Sequence, residues 1–295
     1  MERKAKVYLS EELKKYIVPT EMRDVSFNEG TTFTPGSRIS LDKEAKYIRL
    51  FCAWTGKNNE ATHHDIDLSA GIVRDGVFDR ISFYSQDGDF AVHSGDYTSC
   101  QEFNPKDGMI TAEYIDIDVS KAKEYFRNAK EGYVIIANNI FSGANNFSGL
   151  NSWVGVQLLD GRVSKKSAIN LNKSLFKIKM GSKDNQRFHI GLGYDVKNDD
   201  IVMIDLYEDG HGGSTIDSIS SKMDMYKQNF FGAIDYKENM FSIMKMFCKV
   251  NDYELTEEID CADVICHYTD VEDLKDTQEM FNISNNLEKI VGMLQ

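Results

Sequence analysis

Between residue 46 and about residue 206 the chain breaks into eight clear short runs rich in β-branched and aromatic residues: 47–54, 77–84, 112–119, 133–140, 153–159, 174–180, 187–194 and 201–207. Clusters of Gly, Asn, Asp and Ser separate them, which is the rhythm of strands and turns. No helix-period segments alternate between the runs, so the pattern favours packed antiparallel sheets over a parallel α/β sheet. The predicted fold is all-β: an antiparallel β-sandwich of about eight to ten strands, followed by a C-terminal helical extension.

One helix is predicted inside the strand region, over 120–129, with Ser120 as its cap and Lys123 and Glu124 opening a charged face. Residues 208–215, EDGHGGST, read as a linker because Gly210, Gly212 and Gly213 offer no side-chain packing. Beyond it, Met240, Phe241, Met244 and Phe247 recur at spacings of a helical stripe within 234–250. A second helix is read at 284–294, with Ser284 as cap and Leu287, Ile290, Val291 and Leu294 as the packed face. The domain division is therefore 1–207 for the sandwich, 208–215 for the linker and 216–295 for the helical extension. The Met-rich stripe is expected to pack on the chain's own sandwich; as an unpacked face it would serve as a partner contact.

Charge narrows the function classes. Lys and Arg number 34 against 47 Asp and Glu, a net charge of −13, which repels nucleic acid and suits divalent cations or basic partners. Surplus acid also simply keeps a protein soluble. The five cysteines are widely spread and lack the paired spacing of a secreted disulfide scaffold, so a reducing, cytoplasmic setting is expected. The opening MERKAKVYLSEELKKYI has charges throughout and no apolar core of a signal peptide, and no later stretch reads as a transmembrane segment.

Three acidic features carry the chemistry. In His64-Asp65-Ile66-Asp67-Leu68-Ser69-Ala70, alternate residues of an extended chain share a face, so Asp65 and Asp67 point one way while Ile66, Leu68 and Ala70 point into a core. Two close anions raise each other's pKa unless a cation lies between them; a solvated strand end accounts for the same pair. Next, Ser94, Asp96 and Thr98 flank Gly95 in a turn whose oxygens suit a hard cation, although ordinary hairpin turns use the same residues. Then, in 113–119, Ile115, Ile117 and Val119 share a face with Glu113, while Tyr114, Asp116 and Asp118 take the other. A carboxylate aligned with a buried face needs a partner, so Glu113 is a ligand candidate and Asp116 and Asp118 are read as solvated. His63 and His64 adjoin the first carboxylates, where they either tune a metal site or face solvent.

Other constellations are weaker. Cys261, Cys266 and His267 lack the second half of a zinc site and sit among apolar neighbours. Gly191-Leu192-Gly193 lies within a strand-like run, not between a strand and a helix, so it is no dinucleotide fingerprint. No nucleophile elbow, His-Glu-x-x-His or phosphate loop occurs, and no enzyme activity is expected.

The order of the blocks resembles TerD-like domains, the tellurite-resistance and stress-response family. The blocks are Asp65-x-Asp67-Leu68-Ser69-Ala70, then Phe83-Tyr84-Ser85-Gln86, then His93-Ser94-Gly95-Asp96, then Glu113-x-Ile115-x-Ile117-Asp118. The strand at 133–140 and the block from Phe147 through Trp153-Val154-Gly155-Val156 are similar to the family's second half. The resemblance spans roughly 36–206 and implies a β-sandwich that binds Ca2+. It makes Asp65, Asp67, Asp96 and Glu113 the matching acidic positions. Where many members have Asn after the Gly-Asp pair, this chain has Tyr97, and where they have a Gly-Asp-Asp-Glu run it has Ile110-Thr111-Ala112-Glu113. At least two carboxylates are thus missing, which tells against a second calcium site or high affinity at the first.

The leading functional reading is a calcium-binding stress-response module in which metal fixes the loops at one end of the sandwich for a protein partner. Two alternatives stand beside it. A metal-dependent hydrolase would use Asp65, Asp96, Glu113 and His93 around an open coordination position. A structural subunit of a larger assembly would use the tail stripe as its contact.

Overall fold

A computed structural model describes residues 4–17, 35–41, 45–75, 77–82, 90–161, 166–181, 185–209, 239–267, 275, 277–283 and 286. The strands in chain order are β1 (Lys6–Leu9), β2 (Arg38–Ser40), β3 (Tyr47–Gly56), β4 (Asp65–Arg74), β5 (Val77–Ile81), β6 (Ala91–His93), β7 (Met109–Asp118) and β8 (Gly132–Ser142). They continue as β9 (Leu150–Leu159), β10 (Ala168–Asn170), β11 (Phe176–Lys179), β12 (Gln186–Asp195), β13 (Asp200–Asp209), β14 (Glu254–Thr256), β15 (Val264–His267) and β16 (Glu279–Asn282). Among the described residues two α-helices join them, α1 (Val119–Tyr125) and α2 (Met240–Val250).

The chain divides into two compact units, Ile39–Gln228 and a second made of Met1–Arg38 with Asn229–Gln295. The larger is the predicted all-β sandwich. One sheet has the order β10-β7-β3-β9-β11, with β6 also on β7; the other runs β2-β13-β12-β8-β4-β5. Every predicted strand run falls on an observed strand, although the part of 77–84 beyond residue 82 lies outside the described residues. Central β3 reads as a nearly continuous apolar run because it is covered on both faces. Ile48, Leu50, Cys52 and Trp54 alternate with Phe51 and Ala53, which join Tyr114, Ile110 and Ile169 in a second cluster on the other face. Gly155 lies opposite Phe51 in register, and a Cβ there would meet the Phe51 ring and the Phe176 carbonyl, each at 2.5 Å. That position requires glycine for close approach.

Helix α1 starts one residue before the predicted 120–129 segment and ends earlier, at Tyr125. Its cap is Asp118 and not Ser120: the Asp118 carboxylate accepts a hydrogen bond from the Lys121 N–H at 3.1 Å. A residue read as merely solvated is therefore structural, because an N-terminal turn has backbone donors to satisfy.

The smaller unit contains the helix expected within the 216–295 extension and strands beside it. Its sheet has the order β14-β1-β15-β16, with β1 parallel to both β14 and β15 and β15 parallel to β16. The N-terminal strand β1 occupies a central position in that sheet, so the first residues of the chain belong with the last ones. The expected stripe does form helix α2, capped by the Asn239 side chain on the Ser242 N–H at 2.9 Å, with Met240, Met244 and Cys248 buried. That stripe packs within its own unit, against β1 and the 3-10 turn Glu11–Lys15. The Gly-rich stretch from residue 210 onward and all but residue 286 of the predicted 284–294 helix lie outside the described residues.

Candidate metal centre

The site begins with an edge. Strand β5 pairs with β4 only from Ala70 to Arg74, so the first half of β4 offers its backbone groups to something else on that side. Two side chains from the opposite sheet take them. The Glu113 Oε2 accepts from the Leu68 N–H at 2.8 Å, and His93 Nε2 lies 2.9 Å from the Leu68 carbonyl. At its other nitrogen, His93 Nδ1 accepts from the Gly95 N–H at 3.0 Å. These roles fit a neutral imidazole with its proton on Nε2, so the 3.7 Å approach of His93 to Glu113 is not a charged pair.

The same residues fix the turn that carries Asp96. Glu113 Oε1 accepts from the Tyr97 N–H at 2.9 Å, and the Tyr97 hydroxyl donates to the Ser94 carbonyl at 3.1 Å. Ser94 exchanges two bonds with β7: its N–H donates to the Tyr114 carbonyl at 2.9 Å, and its Oγ accepts from the Tyr114 N–H at 2.9 Å. Gly95 takes a φ of +117°, which L side chains rarely adopt. Tyr97 thus locks the turn by its ring hydroxyl.

The outcome is a cluster of three carboxylates. Oxygens of Asp65, Asp67 and Asp96 all lie within 4.8 Å of one another, and no other group of three His, Cys, Asp or Glu among the described residues comes close enough to hold a metal. Asp65 is 5% exposed and its Oδ1 has no hydrogen-bond partner. Burial, followed by the Asp96 charge, pushes the Asp65 carboxyl up to about 6. Burial, then Asp65 and Asp96, push Asp67 up to about 7. Glu113 is raised too, by burial first and by the neighbouring Asp67 and Asp96, against the pull of its two backbone N–H bonds. The cluster runs from buried Asp65 through half-buried Asp67 to exposed Asp96; a cation at its mouth would complete the unpartnered Asp65 oxygen, and all-oxygen donors suit calcium or magnesium over zinc.

Of the four residues singled out in the sequence, the structure brings together Asp65, Asp67 and Asp96. Glu113 stands beside them, 1% exposed, with both oxygens on backbone N–H groups. It holds β4 and the Asp96 turn in place. Of the neighbouring histidines, His63 is exposed, and His64 Nδ1 lies 2.6 Å from the Thr62 hydroxyl. Asp116 differs from its solvated reading: it is 6% exposed and pairs with Arg49 through Nε–Oδ1 at 2.7 Å and Nη2–Oδ2 at 2.8 Å. The Arg49 guanidinium also lies 3.6 Å from the Tyr114 ring centroid. Alternation placed Asp116 on the correct face, but that face is covered, and Arg49 is its direct partner in the β3–β7 register. The structural role of His93 had a weak signal in the sequence, a histidine beside a Gly-containing turn.

No helix among the described residues is long and apolar enough to cross a membrane. No protein-family model matches the sequence, and no curated protein matches it. Among solved structures the chain is similar to the protein of unknown function SAV2460, at 12% identity and a TM-score of 0.39, over 60% of this chain and 96% of that one. It is also similar to a homologue of telluride resistance protein (TerD) from Streptomyces coelicolor A3(2), at 11% identity and a TM-score of 0.40, over 61% of this chain and 97% of that one.

Proposed function

We propose that this chain is a calcium-binding, TerD-like interaction module of a stress response, in which the cation ties the Asp96 turn to strand β4 and so fixes one end of the sandwich for a protein partner. The observation that carries the reading is the convergence of Asp65, Asp67 and Asp96, three carboxylates from two separate segments whose oxygens lie within 4.8 Å. Held together without a cation, these groups resist ionisation, and the raised carboxyls of Asp65 and Asp67 express the cost of burial first and of mutual repulsion second. Oxygen-only donors and their negative charge favour calcium.

The reading is of a binder and not a catalyst. His93, the base a hydrolytic reading would call on, has its two ring nitrogens on the Gly95 N–H and the Leu68 carbonyl. Five free cysteines suit a reducing compartment, and we place the protein in the cytoplasm. Calorimetric titration of chelator-treated protein tests the proposal. Saturable calcium binding that Asp67→Asn weakens supports it; no calcium binding up to millimolar concentrations overturns it.

A further inference from the structure

We propose that Asn139 supplies a neutral amide oxygen to the cation held by Asp65, Asp67 and Asp96, a fourth protein ligand contributed by the neighbouring strand; this rests on the calcium reading above. Asn139 is on β8, directly opposite Asp67 in the β4–β8 register. Residues so paired project from the same face of a sheet, with Cβ atoms about 5 Å apart. Asn139 is 3% exposed, yet neither its Oδ1 nor its Nδ2 has a hydrogen-bond partner. A buried amide in that state is costly unless something completes it.

Its neighbours in the sheet point to the side on which that partner lies. On the other side of the same row, Asn139 faces Phe188 of β12, and two residues earlier along its own strand the same face carries Ala137. Apolar groups thus occupy those neighbouring positions, and the polar one across the row is Asp67. Since neither amide atom is engaged, a cation can take the oxygen without breaking an existing hydrogen bond. An amide carbonyl also suits the coordination: it adds an oxygen donor without a fourth charge to a set that already repels itself. The adjacent Asn138 does not share this role, because its side chain faces the opposite side of the sheet, where Nδ2 lies 3.3 Å from His189 Nδ1.

The test uses the full chain with calcium and, as a luminescent substitute, terbium. Asn139→Leu keeps the approximate volume and removes the donor oxygen. The expected result is a loss of calcium affinity of about tenfold or more, on the scale seen when even outer partners of a metal site are removed. Terbium lifetimes in light and heavy water should report one more bound water in the variant than in the wild type, which a merely structural role would not produce. Unchanged affinity and hydration in Asn139→Leu overturn the assignment while the calcium reading stands; absence of calcium binding in the wild type overturns both. Should Asn139→Leu fail to fold, Asn139→Asp serves instead: tighter calcium binding supports the assignment, and an unaltered affinity rejects it.

Discussion

Replacing Asp67 with Asn should have opposite effects on stability with and without calcium. Without a cation, burial and neighbouring charge push the Asp65 and Asp67 carboxyls up to about 6 and about 7, well above an unfolded aspartate. A raised folded pKa contributes stability that is present in acid and is lost as pH rises through the folded value. Metal-free wild type should therefore weaken from about pH 4, where an unfolded aspartate ionises, to about pH 7. Oxygens of the two groups lie within 4.8 Å, where a pair of unit charges interacts by about 1 kcal/mol at the dielectric of water and about 3.5 kcal/mol at an effective dielectric of 20. Asp67→Asn removes that repulsion, so the chelator-treated variant should be more stable than wild type by ~1–3 kcal/mol near pH 8 and show little gain near pH 3, below the unfolded aspartate value. With calcium at about one hundred times Kd, wild type gains roughly 2.7 kcal/mol, and the variant, having lost an anionic ligand, gains less. Urea denaturation at the two pH values, with chelator and with calcium, measures all four terms. If Asp67→Asn destabilises the chelator-treated protein at pH 8, the carboxylates are not in repulsive contact and the reasoning is wrong.

Three further outcomes follow from the packing. Asp116→Ala should cost about 3–5 kcal/mol by leaving Arg49 buried and unpaired, whereas Arg49→Met combined with Asp116→Leu should be nearly neutral in the same denaturation assay. Asp118→Ala should cost about 1 kcal/mol through loss of the α1 cap, while Asp118→Asn should leave both stability and calcium affinity nearly unchanged. Gly155→Ala should lower the melting temperature, at a cost of about 1–3 kcal/mol, because its Cβ meets the Phe176 carbonyl and the Phe51 ring; an unchanged melting temperature would show that these neighbours give way freely.

The amino-acid sequence determined what depends on neighbours along the chain. Alternation fixed the strands of the sandwich and put Asp65 and Asp67 on one face, since residues two apart in a strand necessarily share it. The helical stripe of α2 was legible for the same reason, at its own period. Gly95 and its flanking polar residues marked a turn, but nothing local said that Asp96 would meet Asp65. Tertiary structure decided that meeting, through Glu113 and His93 reaching from one sheet to the unpaired backbone of Leu68 in the other. It also decided which faces are covered, turning Asp116 from a solvated residue into half of an ion pair with Arg49. Strand β1 is the plainest case: four residues near the start of the chain lie between β14 and β15, pairing Tyr8 with Thr256 and Ile265. Periodicity reports which face of an element is apolar, and it carries no information about which distant strand will supply the hydrogen bonds that a parallel sheet needs.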